Sequence, residues 1–232
     1  MIIDSHAHYN NNAYKKPFRY LSYDKDGYSL KEGELPQLMQ EMDDADIRYF
    51  IEPGVSLQSC EEVLQLCVEY PGRIFPAIGV HPTRSIFEKW SDRHKLAAYA
   101  NTPGVIAIGE IGLDYHYKRE EQHRLKQHLW FIYQLNLAWK MKMPVILHVR
   151  DAHEDALRIL SWHPARKLGG DPVFLWFQRN RRAVSEVRIP FRYWRLCAPV
   201  GGTGEGFVGS DSPYSVGPNS GRDRCTFHPA LL

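Results

Sequence analysis

The sequence has little cysteine, no long apolar run and almost no net charge, and each shortage removes a class of protein. The four cysteines in 232 residues, Cys60, Cys67, Cys197 and Cys225, form no Cys-x-x-Cys pair. A disulfide framework is therefore not expected, and the thiols read as packing residues in a reducing cytosol. Basic side chains number 29 and acidic ones 27, a net charge of +2. No global field draws such a chain to nucleic acid or membrane, so any polyanion site has to be local. No stretch approaches the ~20 apolar residues of a membrane span. The start, Met1-Ile2-Ile3-Asp4, has neither a basic nor an apolar leader region, so a cytoplasmic protein with no membrane partner is expected.

What the chain does have is a regular alternation of apolar runs and amphipathic stretches. Leu35, Leu38, Met39 and Met42 recur at three- and four-residue steps, which predicts a helix over 35–45. A strand and exit turn over 47–55 follow, then a helix over 60–69, a strand over 74–80 and a helix over 85–99. A strand over 105–111, a long helix over 120–141 and a strand over 144–148 come next, and Asp151 reads as the N-cap of a helix ending near Leu160. Five strand-then-helix units with near-continuous apolar strands predict a parallel sheet buried on both faces, in one domain. The polar segment from Tyr9 to Glu34 reads equally as a loop at the mouth of a site or as a solvated insertion.

The chemistry-bearing residues gather where the predicted strands end. His6 and His8 close the first strand two residues apart, on one face, and offer two imidazole nitrogens to one cation with Asp4 behind them. Glu110 sits among apolar residues in Gly109-Glu-Ile-Gly, a costly place for a carboxylate unless it meets a cation or hydrogen bonds. His148 and Arg150 share another strand face, one suited to a metal and one to an anionic oxygen. His81, in Gly-Val-His-Pro, reads as secondary. Strand ends at the carboxyl side of a parallel barrel are where barrel enzymes build their sites.

Together, Asp4-Ser-His-Ala-His8, Gly79-Val-His-Pro82, Gly109-Glu-Ile-Gly-Leu-Asp114 and Leu147-His-Val-Arg150 resemble the TatD family of metal-dependent hydrolases. The resemblance covers roughly residues 1–170, and the joint match is specific where each piece alone is weak. It implies a TIM-barrel (β/α)8 fold of the amidohydrolase type and two divalent cations, with Mg, Mn and Zn all open. It also implies hydrolysis of DNA phosphodiester bonds, typically as a deoxyribonuclease. Carried over by position, His6 and His8 hold one metal, Glu110 bridges both as a ligand and catalytic group, and His148 binds the second. His81, Asp114 and Arg150 are then assigned to the substrate. Lys15-Lys16 and Lys118-Arg119 are candidate backbone contacts.

The character changes near Gly169: no lysine follows Lys167, and arginines cluster at 179–182 and 188–195. The family's His-Cys-Phe-Ser-Gly strand has no counterpart, because Asp171-Pro-Val-Phe-Leu-Trp-Phe-Gln178 contains no histidine. Ser210-Asp211-Ser-Pro-Tyr214 resembles the family's Thr-Asp-Ser-Pro motif, which makes Asp211 the implied ligand and water-activating base. Asp211 lies closer to Gly170 than the family's remaining strands allow. A frame-shifted stretch over about 171–209 and a divergent end both account for this, so the barrel is expected to be incomplete or irregular after residue 170. Two other functions stay open: hydrolysis of a small amide or ester at the same site, and a catalytically impaired remnant that binds metal or nucleic acid.

Overall fold

A computed structural model describes residues 2–24, 27–116, 120–162 and 174–177. The first strand, β1, is only Ile2–Asp4, and a 3-10 turn at Asn12–Tyr14 follows it. The polar segment expected to be a loop is instead an antiparallel hairpin, β2 (Phe18–Asp24) with β3 (Gly27–Gly33). Period-two burial explains it: Phe18 and Tyr20 turn inward to join Tyr9 and Tyr14, while Arg19 between them is exposed. The Tyr14 and Phe18 rings meet edge-on at 4.7 Å.

Helix α1 (Leu35–Asp44) buries the four apolar residues that predicted it. Pro36 suits its first turn, and the Gln37 side chain accepts from the Glu34 amide at 3.0 Å. The units then repeat as β4 (Ile47–Pro53), α2 (Leu57–Glu69) and β5 (Ile74–Ile78). The helix expected over 85–99 is broken into a single turn, α3 (Pro82–Ser85), a 3-10 turn at Trp90–Asp92, and α4 (Arg93–Ala100). β6 runs Ala107–Asp114, three residues further than expected, which puts Asp114 inside the strand. α5 (Glu121–Met141), β7 (Val145–Arg150) and α6 (His153–Trp162) follow, and β8 is Phe174–Phe177. Asp151 is not the first residue before α6. It takes a left-handed φ of 53°, and its Oδ2 lies 3.0 Å from His116 Nδ1.

The six parallel strands lie in the order β1-β4-β5-β6-β7-β8. Each lies beside the next along the chain, with no reversal of direction across the sheet. That is the winding of an α/β barrel and not of a doubly wound sheet. Among the described residues the barrel is incomplete, with six of its eight strands. One face carries a small cluster of Ala77, Ala107 and Ile146 with Ile51 against it. On the other, Ile78, Ile108, Ile111, Leu113 and Leu147 pack with Trp130, Phe131 and Leu135 of α5. A third cluster joins α1 to Phe50, Leu66, Ile74 and the aromatic residues of the hairpin side. No helix among the described residues is long and apolar enough to cross a membrane.

Candidate metal centre

The segment just after β1, the middles of β6 and β7 and the turn after β5 bring four histidines around one glutamate, so Glu110 and His148, expected at strand ends, lie within strands that run on past them. β1 ends at Asp4, so the histidine pair lies just beyond the strand and not within it. The pair still converges: His6 Nε2 and His8 Nε2 are 3.0 Å apart. Asp4, buried behind them, accepts from the His6 amide at 3.0 Å. It therefore fixes the backbone of the clip.

Glu110 is 5% exposed and shows its two oxygens to different neighbours. Its Oε2 faces His6 Nε2 at 3.5 Å, His8 Nε2 at 3.9 Å and His81 Nε2 at 4.0 Å. Its Oε1 faces His148 Nδ1 at 3.1 Å. Burial pushes this carboxyl up. The charge of His6, hydrogen bonds from His148 and His6, and the charge of His81 outweigh it and hold Glu110 well below the usual carboxylate range. The ligand atoms of His6, His8 and Glu110 lie within 4.8 Å of one another, as do those of His81, Glu110 and His148. Imidazole nitrogen with carboxylate oxygen is a donor set that divalent transition metals accept, so the residues present fit a metal site.

The two outer histidines differ. His148 is clamped between Glu110 and Asp114, with its Nε2 3.0 Å from Asp114 Oδ2. Burial lowers its pKa, but the bonds to Asp114 and Glu110 prevail and raise it to about 9. His81 caps the single turn α3, and its Nδ1 accepts from the Thr83 amide at 3.2 Å. Burial brings His81 down to about 4, so the ring is neutral at pH 7. A neutral ring whose Nδ1 accepts carries its proton on Nε2, which then faces the site as a donor and not as a lone pair.

Asp114, expected at the substrate, is 1% exposed beneath His148 and is spent on that ring and on the His116 amide at 2.9 Å. Arg150 pairs with Asp114 across β6 and β7, and its carbonyl accepts from the Tyr115 amide at 2.9 Å. Lys15 is ion-paired to Glu62 at 3.0 Å, and Lys16 is exposed. Lys118, Arg119 and Asp211 lie outside the described residues. β8 follows β7 in the sheet and, between Phe174 and Phe177, has no histidine.

Sequence reasoning missed the groups that hold these strand ends in place. Gln127 and Gln134 of α5 are fully buried. Gln127 accepts from the Asp114 amide and donates to the Asp114 carbonyl, each at 2.8 Å. Gln134 does the same for Val80, at 2.7 and 3.1 Å, one residue before His81. The available signal was position: both glutamines fall on the apolar stripe with Trp130, Phe131, Leu135 and Ala138. Gly112, at φ 144°, lets β6 approach β7; a Cβ there would lie 1.9 Å from the His148 carbonyl oxygen.

The metal-dependent hydrolase YabD of Bacillus subtilis is 28% identical over 170 residues, 73% of this chain and 59% of its own. The 3'-5' ssDNA/RNA exonuclease TatD of Yersinia pseudotuberculosis is 40% identical over 97 residues, 41% of this chain and 36% of its own. The crystal structure of a TatD homologue from Escherichia coli K12 superposes with a TM-score of 0.58 at 22% identity, covering 78% of this chain and 60% of that one. The chain thus spans less than two thirds of the length of these relatives. The TatD related DNase family model matches residues 3–190, beyond the point where the sequence motifs stop, and the chain belongs to that family of TIM-barrel metal-dependent hydrolases.

Proposed function

We propose that this chain hydrolyses phosphodiester bonds of single-stranded nucleic acid, with DNA as the first substrate to test, through divalent cations. The observation that carries the reading is the division of Glu110: one oxygen faces His6 and His8, the other His148. His6, His8 and Glu110 would hold one cation, and Glu110 with His148 a second. A mixed imidazole and carboxylate set favours Zn or Mn over Mg. When bound, divalent cations supply Lewis-acid chemistry: they make water acidic enough to attack near neutral pH and neutralise charge on phosphate oxygens.

The protein's own groups do the rest. His81, neutral with its proton on Nε2, donates to a phosphate oxygen. Asp114 orients His148 from below, as carboxylates behind metal-bound histidines do. Arg150, at the end of β7, supplies a fixed positive charge for the nucleic-acid backbone. The base role implied for Asp211 belongs to the same proposal, as does a cytoplasmic location. The name of the Yersinia relative supports a nucleic-acid substrate, and that of the Bacillus relative supports only metal-dependent hydrolysis.

The test is turnover of an end-labelled single-stranded DNA and of its RNA counterpart by the metal-free chain after adding Mn2+ or Zn2+. E110Q and a chelator serve as controls. Metal-dependent cleavage lost in E110Q is the expected result. Cleavage of a small ester panel but not of either nucleic acid would move the reading to the small-substrate alternative. Metal uptake without any turnover would leave a binding protein.

A further inference from the structure

Glu52, on β4, belongs to no ligand group around Glu110, yet it is fully buried. Its Oε1 accepts from the Asn10 amide at 2.9 Å, and the Tyr9 amide also bonds its carboxylate. Its other oxygen, Oε2, has no hydrogen-bond partner among the described residues, and neither has the buried hydroxyl of Tyr14, which feels the Glu52 charge. Burial accordingly pushes Glu52 up to about 7. An apolar side chain would fill this space without leaving a carboxylate oxygen unsatisfied.

What an apolar side chain cannot do is accept from two successive amides directly after His8. β4 already holds the other side of that residue, where the Ile51 carbonyl accepts from the Ala7 amide at 2.9 Å. The segment bearing His8 is therefore fastened to β4 before and after the imidazole, and Glu52 is the second fastening.

The geometry points to Glu52 as a positioning residue for the first cation site, holding the Tyr9–Asn10 turn so that His8 faces Glu110 beside His6. This rests on the metal-centre reading above. It predicts a difference between two substitutions of similar size. E52Q keeps an oxygen acceptor for the amides, whereas E52L removes it and fills the same space.

The experiment measures binding of Mn2+ alone to the full chain by calorimetry, alongside thermal unfolding of the metal-free protein. Wild type and E52Q are expected to bind alike, and E52L at least ~10-fold more weakly, with metal-free E52L still folding cooperatively at a midpoint lowered only as far as its two unpaired amides account for. Equal affinity in E52L overturns the positioning role. So does equal loss in E52Q, because the acceptor would then not be what matters. A fall in E52L affinity that merely tracks a collapsed unfolding midpoint, or failure of E52L to fold, also overturns it in favour of a plain structural role. A wild-type chain that takes up no Mn2+ overturns the metal-centre reading itself, and the positioning role with it.

Discussion

Glu110 stands between two sets of histidines, so its charge counts twice. E110Q is expected to weaken both cations and to lower turnover more than H6A or H8A, each of which removes one donor from one cation. Loss of a partner merely behind a ligand costs ~10–100-fold in affinity or activity, and loss of the ligand itself should cost at least that. Calorimetry on the three variants, with circular dichroism to confirm the fold, checks the ranking. Glu52 gives a pH signature of its own in the metal-free chain. Its pKa is raised from 4.5 to about 7 in the folded state, so the folded chain keeps a proton that the unfolded chain has lost between those values. Its contribution is complete below about pH 4.5 and disappears as pH rises to about 7, roughly 3 to 4 kcal/mol at most at ~1.4 kcal/mol per unit. Urea unfolding of wild type and E52Q with chelator present should show wild type losing stability across that window relative to the variant. A constant difference from pH 4.5 to 7.5 would refute the raised value.

At the scale of elements, α5 does two things that its sequence half conceals. Its apolar stripe covers the sheet, and two glutamines within that stripe each grip both backbone groups of one strand-end residue. Removing either grip leaves a buried amide and carbonyl unsatisfied, at ~1–3 kcal/mol for each group. Q127A and Q134A should therefore cost several kcal/mol at most and at least about 2 kcal/mol, read from urea midpoints. Q134A should also raise KM for single-stranded DNA more than it lowers metal affinity, because Val80 precedes His81, whose proposed part is a phosphate contact. G112A should destabilise by ~1–3 kcal/mol or more, since a Cβ at φ 144° is strained and meets the His148 carbonyl. The broken helix after β5 belongs here too. Pro82 follows His81 directly, so α3 starts at once and the histidine becomes its N-cap; the periodicity over 85–99 carried no sign of that break.

For the whole molecule, cation binding should appear as stability. A ligand that binds only the folded state, at ~100 times its Kd, adds ~2.7 kcal/mol. Mn2+ should accordingly raise the unfolding temperature of the chelated chain, and H6A/H8A together should abolish most of the rise. Metal counting should find one cation held more firmly than a second. The first has His6, His8 and Glu110, while His81 turns an N–H toward the site and leaves Glu110 and His148 for the other. Two equally tight cations per chain would mean that residues beyond 162 supply a donor. β8 continues the sheet in parallel beside β7, so the winding runs past the point where the motifs fade.

The order of strands and helices was legible because apolar periodicity is a local property, and the parallel winding followed from that order. His6, His8, Glu110 and His148 were legible as candidates because polar residues within or just after apolar strands are conspicuous in any sequence. The sequence could not show the hairpin at 18–33, whose Phe18 and Tyr20 are buried in one cluster with α1 and Phe50, some 20 to 30 residues away. Nor could it show that Asp114 lies under His148, since that depends on the register of β6 against β7. The proton placement on His81, the split of Glu110 between its neighbours and the role of Glu52 depend on distances between strands far apart in the chain. Only the folded sheet fixes such distances, because side-chain chemistry is written residue by residue, whereas ligand geometry is set by how neighbouring strands align.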